Sequence, residues 1–166
     1  MVDTPEERPG SGAEPQEAEI EAFQTATRDL IGVALRSLET LEGEVSLPQF
    51  RLLLVLGDLG RCPSSRVAHA LGLGASSVTR LADRLFASGH VNRGTDPHHR
   101  SVVTLELSPS GAQLVERVLR WRHQELERVL RRLEPSERAA TAAGLRAFHT
   151  VLGEAYTAEL HGPVPL

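Results

Sequence analysis

Apolar residues along this chain recur mainly at spacings of three and four, the period that places them on one face of an α-helix. Serine, proline and glycine residues at the ends of these stripes mark where helices begin and end. Together they predict six helices, covering residues 17–42, 46–60, 63–71, 75–87, 108–133 and 135–160. The pattern therefore predicts a mainly α-helical protein.

One segment departs from the helical period. Apolar and polar residues alternate over residues 102–107, which predicts a half-buried strand whose inward side chains are Val103, Leu105 and Leu107. Residues 91–93 can pair with this strand as a hairpin. A small β-hairpin is therefore expected between the fourth and fifth helices.

The third and fourth helices are close in sequence, and Gly72 or Gly74 can turn the chain between them. Two helices joined in this way form a helix-turn-helix, and the hairpin that follows them supplies a wing. The predicted fold is mainly α with a small β wing, a six-helix winged helix-turn-helix.

The composition divides the chain into three parts. Residues 1–16 contain prolines and acids with almost no apolar side chains, which predicts a disordered acidic tail. Residues 45–108 form the winged helix-turn-helix. The long amphipathic helices within 17–44 and 109–160 lie outside this minimal unit, and their apolar faces need a partner. We expect them to join two copies as a homodimer, the alternative being a monomeric helical cap.

The charge of the chain is unevenly distributed. The net charge is −4, but residues 61–100 carry six arginines and only two aspartates. Because attraction to phosphate is screened beyond about 8 to 10 Å, local charge matters more than the total. A basic winged helix in an acidic protein favours double-stranded DNA as the partner, although a solvated basic face would explain the charges alone equally well.

The fourth helix carries the first group of candidate DNA-binding residues. Arg80 and Arg84 are four residues apart and therefore share a side, where each can make a two-pronged contact with phosphate or guanine. An ion pair between Arg80 and Asp83 is the competing interpretation. The small hydroxyl side chains on the same helix can contact the groove or cap the helix start instead; they belong to Ser76, Ser77 and Thr79.

The loop of the wing carries the second group. Arg100 can enter the minor groove or turn back to brace the wing, and His98 and His99 beside it are candidate DNA contacts or solvated loop histidines. Asp96 would repel DNA, so we expect it to brace the wing by capping the turn ahead of Pro97.

Other classes of function find little support. No nucleophile with a base, paired acids or phosphate loop indicates an enzyme, and no spacing of histidines, cysteines and carboxylates indicates a metal or cofactor site. No apolar run approaches the length of a membrane span, so a cytoplasmic protein with no membrane partner is expected. The single cysteine, Cys62, lies near a helix start and Arg61, which could lower its pKa. We interpret it as structural, with a redox sensor as the alternative.

The run LGLGASSVTRLADRLFASGHVNRGTDPHHRSVVTLELSPSG resembles the MarR family of bacterial transcription regulators. The specific part is the wing, which begins at Asp96-Pro97 and ends at Arg100, followed by the strand VVTLELS and the helix opening at Pro109. The likeness covers about residues 17–160. Gly74 and Ser101 depart from it, because the family usually has serine or threonine at the first position and often a second basic residue at the other.

The resemblance implies a homodimer joined through the terminal helices, a recognition helix in the major groove and a wing in the adjacent minor groove. It also implies that binding is often relieved by a small aromatic or anionic effector or by cysteine oxidation. The resulting expectation is a sequence-specific regulator, in the first instance a repressor, on an inverted-repeat operator. The alternatives are an architectural or protein-interaction module with little sequence specificity, and a regulator that senses redox state through Cys62.

Overall fold

A computed structural model describes residues 14–97 and 99–158, with side chains through residue 153. The helices are α1 (Glu17–Ser37), α2 (Leu47–Leu59), α3 (Ser64–Leu71), α4 (Ala75–Ala87), α5 (Pro109–Leu130) and α6 (Pro135–Ala158). The strands are β1 (Cys62–Pro63), β2 (Val91–Thr95) and β3 (Val103–Leu107). The six helices and the hairpin between α4 and α5 confirm the predicted fold.

The described residues form two units, divided between Gly32 and Val33. In the first unit, α1 is exposed except at Gly32, which is half-buried. The second unit contains the end of α1 and all later elements, and the hydrophobic core lies within it. The core is built around α2, which is buried along most of its length; the largest fully buried apolar side chains are Phe50, Leu52, Leu53, Leu56, Val67, Val78, Leu85, Val91, Leu105 and Val118.

Serine residues cap the starts of α2 and α5. The Ser46 backbone N–H donates to Oε1 of Gln49 at 2.8 Å. The Ser46 side chain in turn faces the backbone N–H of Gln49, and the two contacts form a capping box at the start of α2. At α5, the Ser108 hydroxyl accepts from the Gly111 N–H at 3.0 Å. The same hydroxyl donates to the Gly89 carbonyl at 2.6 Å, which ties the start of α5 to the turn before β2.

The first helix is shorter than its apolar stripe predicts. It ends at Ser37, and residues Leu38–Leu41 form a 3₁₀ turn in place of an α-helix running to residue 42. Ser37 is fully buried, its hydroxyl donates to the Ala34 carbonyl at 2.5 Å, and it accepts from Nε of Arg122 at 2.7 Å. The Ser37 hydroxyl therefore bonds to the last turn of α1 and to α5, and the tighter 3₁₀ turn begins at the next residue. Glu42 follows this turn with a φ of 48°.

The sheet has the order β1-β3-β2 with antiparallel pairing throughout. The wing hairpin runs from the pair Val91–Leu107 at its base to Thr95–Val103 at its outer end. Strand β1, which the sequence analysis missed, pairs Cys62 with Leu105. It contains only two residues, too few to show an alternating pattern, yet it attaches the wing to the region between α2 and α3.

The predicted inward face of β3 is partly wrong. Leu105 is buried and Leu107 half-buried, as expected, but Val103 is 46% exposed and Thr104 is buried. Val103 lies at the outer end of the hairpin, beyond the core. Thr104 lies on the opposite face of the strand, where the side chain of Arg61 covers it.

Two remaining boundaries are decided by the structure. The turn after α3 is made by Gly72, whose φ is 63°, whereas Gly74 has an ordinary extended conformation and caps α4. Helix α5 ends at Leu130, three residues before the predicted end, and a turn leads to α6. The predicted end of α6 at residue 160 and most of the predicted tail, residues 1–13, lie outside the described residues.

No helix among the described residues has the length and apolar character needed to cross a lipid bilayer. Within the same residues, no three histidine, cysteine or carboxylate side chains lie together in a way that could hold a metal ion.

Candidate nucleic-acid interface

Helix α4 separates its apolar and polar residues cleanly. Val78, Ala82 and Leu85 are 1%, 1% and 0% exposed, and Leu81 packs partly against the same core. The predicted apolar stripe is therefore confirmed. It fixes the helix on α2 and α3 and leaves the opposite, polar side open to solvent.

Both arginines of α4 lie on that open side. Arg80 and Arg84 are exposed and line one shallow cleft of about 320 Å³ together with Pro48 and Leu73. The alternative ion pair between Arg80 and Asp83 is absent from the described part of the chain, because the Asp83 carboxylate pairs with Arg93 instead. Two exposed guanidinium side chains thus line the same cleft.

The hydroxyl residues of α4 differ from one another. Ser76 is exposed and Ser77 is half-buried at the start of the helix. The Thr79 hydroxyl donates to the Ala75 carbonyl at 2.9 Å, so its hydrogen already serves the helix and only its lone pairs and methyl group remain for a ligand. Among these three residues, Ser76 is the most accessible.

An arginine that the sequence analysis did not single out joins the wing to α4. Nη2 of Arg93 in β2 lies 2.5 Å from Oδ1 of Asp83, and its guanidinium lies 5.6 Å from the centre of the Phe86 ring. Because both partners are on α4, this side chain holds the first strand of the wing against the helix. The cation–π contact adds to an ion pair that is itself partly exposed.

The wing turn is closed by hydrogen bonds of its own backbone. The Asp96 N–H donates to the Val102 carbonyl at 3.0 Å, and the Asp96 carboxylate accepts from the His99 N–H at 3.0 Å. Asp96 therefore has the geometry of a turn-capping residue. Arg100 and His99 are exposed at the tip, and His98 lies outside the described residues.

A second arginine contacts the opposite face of the wing. Nε of Arg61 donates to the Thr104 hydroxyl at 3.3 Å, and its Nη2 donates to the Thr95 carbonyl at 3.0 Å. The guanidinium lies over Gly94, where a Cβ atom would be only 2.8 Å from Nη2. An isolated glycine within a strand often marks the close approach of another group. Gly94 was therefore the only hint in the local sequence that a side chain packs against this strand.

Cys62 has the opposite character from a reactive thiol. It is buried at 2% exposure in β1, and burial raises the pKa of its thiol more than the charge of Arg66 lowers it. The expectation that a helix start and Arg61 could lower this pKa is wrong, because the residue lies in a strand and desolvation of the thiolate dominates. The thiol form therefore prevails at neutral pH, and this weakens the redox alternative.

A groove of about 640 Å³ lies between α2 and the first half of α5. Leu54, Val115 and Leu119 form its apolar wall. Arg120 also borders it, but this guanidinium pairs with Glu116 at 2.5 Å. The groove is open to solvent and adjoins the base of the wing.

Helices α5 and α6 expose large apolar side chains. None of the side chains described in α6 is buried, and the exposed apolar residues of the two helices are Leu119, Leu126, Val129, Leu130, Leu145, Phe148 and Val151. Soluble monomers rarely expose so many large apolar residues together. These helices therefore present a surface suited to contact with another protein.

The polar side of α4, the two braced faces of the hairpin and the basic residues around them define a winged helix-turn-helix DNA-binding protein. A sequence model of the MarR family matches residues 44–100. The uncharacterized HTH-type transcriptional regulator YfiV of Bacillus subtilis is 30% identical over 117 residues, which cover 70% of this chain and 73% of YfiV. The chain thus belongs to the MarR family of transcription regulators.

Solved structures agree with this assignment. RV1404 of Mycobacterium tuberculosis is similar with a TM-score of 0.77 and 27% identity, over 86% of this chain and 97% of RV1404. FabT of Streptococcus pneumoniae, solved in complex with DNA, is similar with a TM-score of 0.68 over 84% of this chain and 98% of FabT. At 19% identity, the second match shows the fold alone.

Proposed function

We propose that this regulator is a sequence-specific repressor that acts as a homodimer on an inverted-repeat operator. The observation that carries the proposal is the open polar side of α4, where Arg80 and Arg84 stand beside Ser76 with no ion pair to a described residue. Guanidinium and hydroxyl groups of this kind read base edges in the major groove.

The wing supports the same proposal. Arg100 and His99 are exposed at the tip of a hairpin whose base is tied to α4 by Arg93. With the hairpin held in this way, its tip can reach phosphates or the minor groove of the DNA beside the major groove that α4 would enter. FabT, which shares the fold, was solved in complex with DNA, and this is consistent with an analogous use of the surface here.

The homodimer is supported by the exposed apolar residues of α5 and α6. Packing them against the same helices of a second copy would remove apolar surface from water and hold two copies of α4 at a fixed separation. A dimer of this kind favours two half-sites about one helical turn apart.

The proposed function is tested by selecting fragments bound by the full-length protein from genomic DNA and measuring affinities for selected and random duplexes. A specific regulator is expected to prefer the selected duplex by about a thousandfold or more at physiological salt. A ratio near one would instead support the architectural alternative. The position of the selected sites relative to genes, followed by transcription measurements with and without the protein, tests repression.

Replacement of Arg80 by alanine is expected to weaken binding to the selected operator by about 1 to 3 kcal/mol and to relax base preference at one position. The reason is that a two-pronged contact to a base would be lost. Fluorescence anisotropy with the operator and with single-base variants measures both effects. Arg132→Ala, an exposed arginine after α5, is the matched control for loss of one charge. Equal weakening on operator and random DNA would contradict base recognition by Arg80.

Replacement of Arg100 by alanine is expected to weaken binding on all sequences and to reduce the slope of log K against log salt by about one. This follows if the wing arginine neutralises one phosphate. Affinities measured across a series of salt concentrations give the slope. An unchanged slope together with a weaker affinity would show that Arg100 acts only on the shape of the wing.

The groove between α2 and α5 is our candidate for an effector site. Its wall of Leu54, Val115 and Leu119 suits an aromatic ring. The carboxylates of Asp58 and Glu116 and the imidazole of His123 lie in the same lining, and Glu116 already pairs with Arg120. The groove therefore favours an aromatic effector over an anionic one. Release of operator by aromatic compounds would test this assignment, and Ala112→Arg, at an exposed position of the same lining, is expected to abolish that release. Unchanged release in this variant would contradict the assignment.

A further inference from the structure

The wing is held from both faces, and the two contacts go to different parts of the DNA-binding domain. On one face Arg93 pairs with Asp83 of α4. On the other, Arg61 donates to Thr95 and Thr104, which lie in different strands of the hairpin. Arg61 itself directly precedes β1, between the end of α2 and the start of α3. Its side chain thus reaches across β3 to the outer end of β2.

We propose that Arg61 is a positioning residue for DNA binding, and that it acts with Gly94 and Thr104 to fix the direction of the wing tip. The inference rests on the proposed contact between the wing and DNA. No base or phosphate contact by Arg61 is required.

The geometry explains why this contact controls the wing. Thr95 is the last residue of β2, directly before the Asp96 turn, so the hydrogen bond to its carbonyl acts at the point where the hairpin leaves the sheet. The short strand β1 reaches only Leu105 and Thr104 and leaves the outer end of the hairpin unsupported. Arg61 supplies this attachment, because it joins the outer end of β2 to the segment between α2 and β1.

Gly94 makes the contact possible. A Cβ atom at this position would be 2.8 Å from Nη2 of Arg61 and 3.1 Å from the Thr104 hydroxyl. Both are ends of side chains, so alanine would displace the guanidinium without forcing the backbone apart. Gly94→Ala therefore removes the positioning contact while retaining the positive charge of Arg61, and alanine is better tolerated in a strand than glycine.

The test measures the operator affinity of three full-length variants, which are Arg61→Ala, Gly94→Ala and the double variant. Each is measured in the oligomeric state in which it is isolated. Each single variant is expected to bind about tenfold more weakly, because hydrogen bonds from a charged donor are lost. The double variant is expected to be no weaker than Arg61→Ala alone, since both changes remove one interaction. Additive losses, or no loss in Gly94→Ala, would overturn the proposal.

Two further variants separate positioning from simple charge. Arg61→Lys keeps the charge but lacks the forked donors, so it is expected to behave like Arg61→Ala. Wild-type affinity in Arg61→Lys would show that charge alone matters and would overturn the proposal. In an Arg100→Ala background, Arg61→Ala is expected to change affinity less than twofold, because the contact it positions is already absent; a full tenfold loss there would also overturn it.

Arg80→Ala measured in parallel distinguishes this inference from the proposed function. If Arg80→Ala weakens operator binding while the Arg61 and Gly94 variants do not, the positioning role alone fails. If no variant affects binding and no operator preference exists, the proposed function itself fails. Thermal unfolding of each variant verifies that the compared proteins are folded.

Discussion

Replacing Gly111 by alanine is expected to lower the free energy of unfolding by about 3 kcal/mol, one of the two largest effects foreseen for this protein. A Cβ atom at this position would lie 2.1 Å from the carbonyl oxygen of His90 and 3.1 Å from its carbonyl carbon. These are backbone atoms, and they cannot rotate aside as a side chain can. The His90 carbonyl oxygen also accepts a hydrogen bond from the Ser108 N–H at 3.1 Å, and this bond holds the carbonyl in place.

To relieve the clash, the start of α5 would have to move away from the turn before β2. That movement would strain or break the hydrogen bonds of the Ser108 hydroxyl to Gly89 and Gly111. The melting temperature is therefore expected to fall by about 10 °C, measured by calorimetry or circular dichroism. Ser110→Ala is the matched control, because Ser110 is the exposed neighbour in the same helical turn. An unchanged melting temperature in Gly111→Ala would contradict this close packing.

The second large effect is expected from charges placed on the exposed apolar side of α6. Leu145 and Val151 are 46% and 65% exposed, so glutamate at both positions should leave the fold of one copy intact. In the proposed homodimer these positions are covered by the partner, and burial of unpaired carboxylates there would be costly. Leu145→Glu with Val151→Glu is therefore expected to yield a folded monomer.

Loss of the dimer should weaken operator binding by about a hundredfold or more, because the second half-site would no longer be bound within the same complex. Light scattering coupled to size exclusion reports the mass, and anisotropy reports the affinity. Ala143→Glu with Thr150→Glu adds the same charge at exposed positions on the opposite side of α6 and should change neither. A dimer that persists in the Leu145 and Val151 variant would locate the interface elsewhere.

Several features of this protein could be predicted from local sequence because they depend on neighbouring residues. Helix α4 was predicted with the bounds that the structure gives it, since its apolar stripe and its flanking glycines are local features. The capping contacts at Ser46 and Ser108 were equally predictable, because a cap is satisfied within three residues. The basic charge of the winged-helix segment was also evident.

Three of the errors concern contacts between distant segments. Strand β1 exists only because β3 pairs with it, and two residues have no pattern of their own. Helix α1 ends at Ser37, whose hydroxyl accepts a hydrogen bond from Arg122, far along the chain. The expected chemistry of Cys62 was reversed by burial, which local charges do not reveal.

The sequence by itself determined that this protein is a six-helix winged helix-turn-helix with a basic winged-helix segment, because periodicity, capping and charge are properties of short segments. Only the tertiary structure decided how the wing is held. Arg61 and Thr104 are 43 residues apart, and Gly94 and Gly111 appear in the sequence merely as two glycines. Their importance comes from the atoms that approach them, and such approach is fixed by the packing of the whole chain.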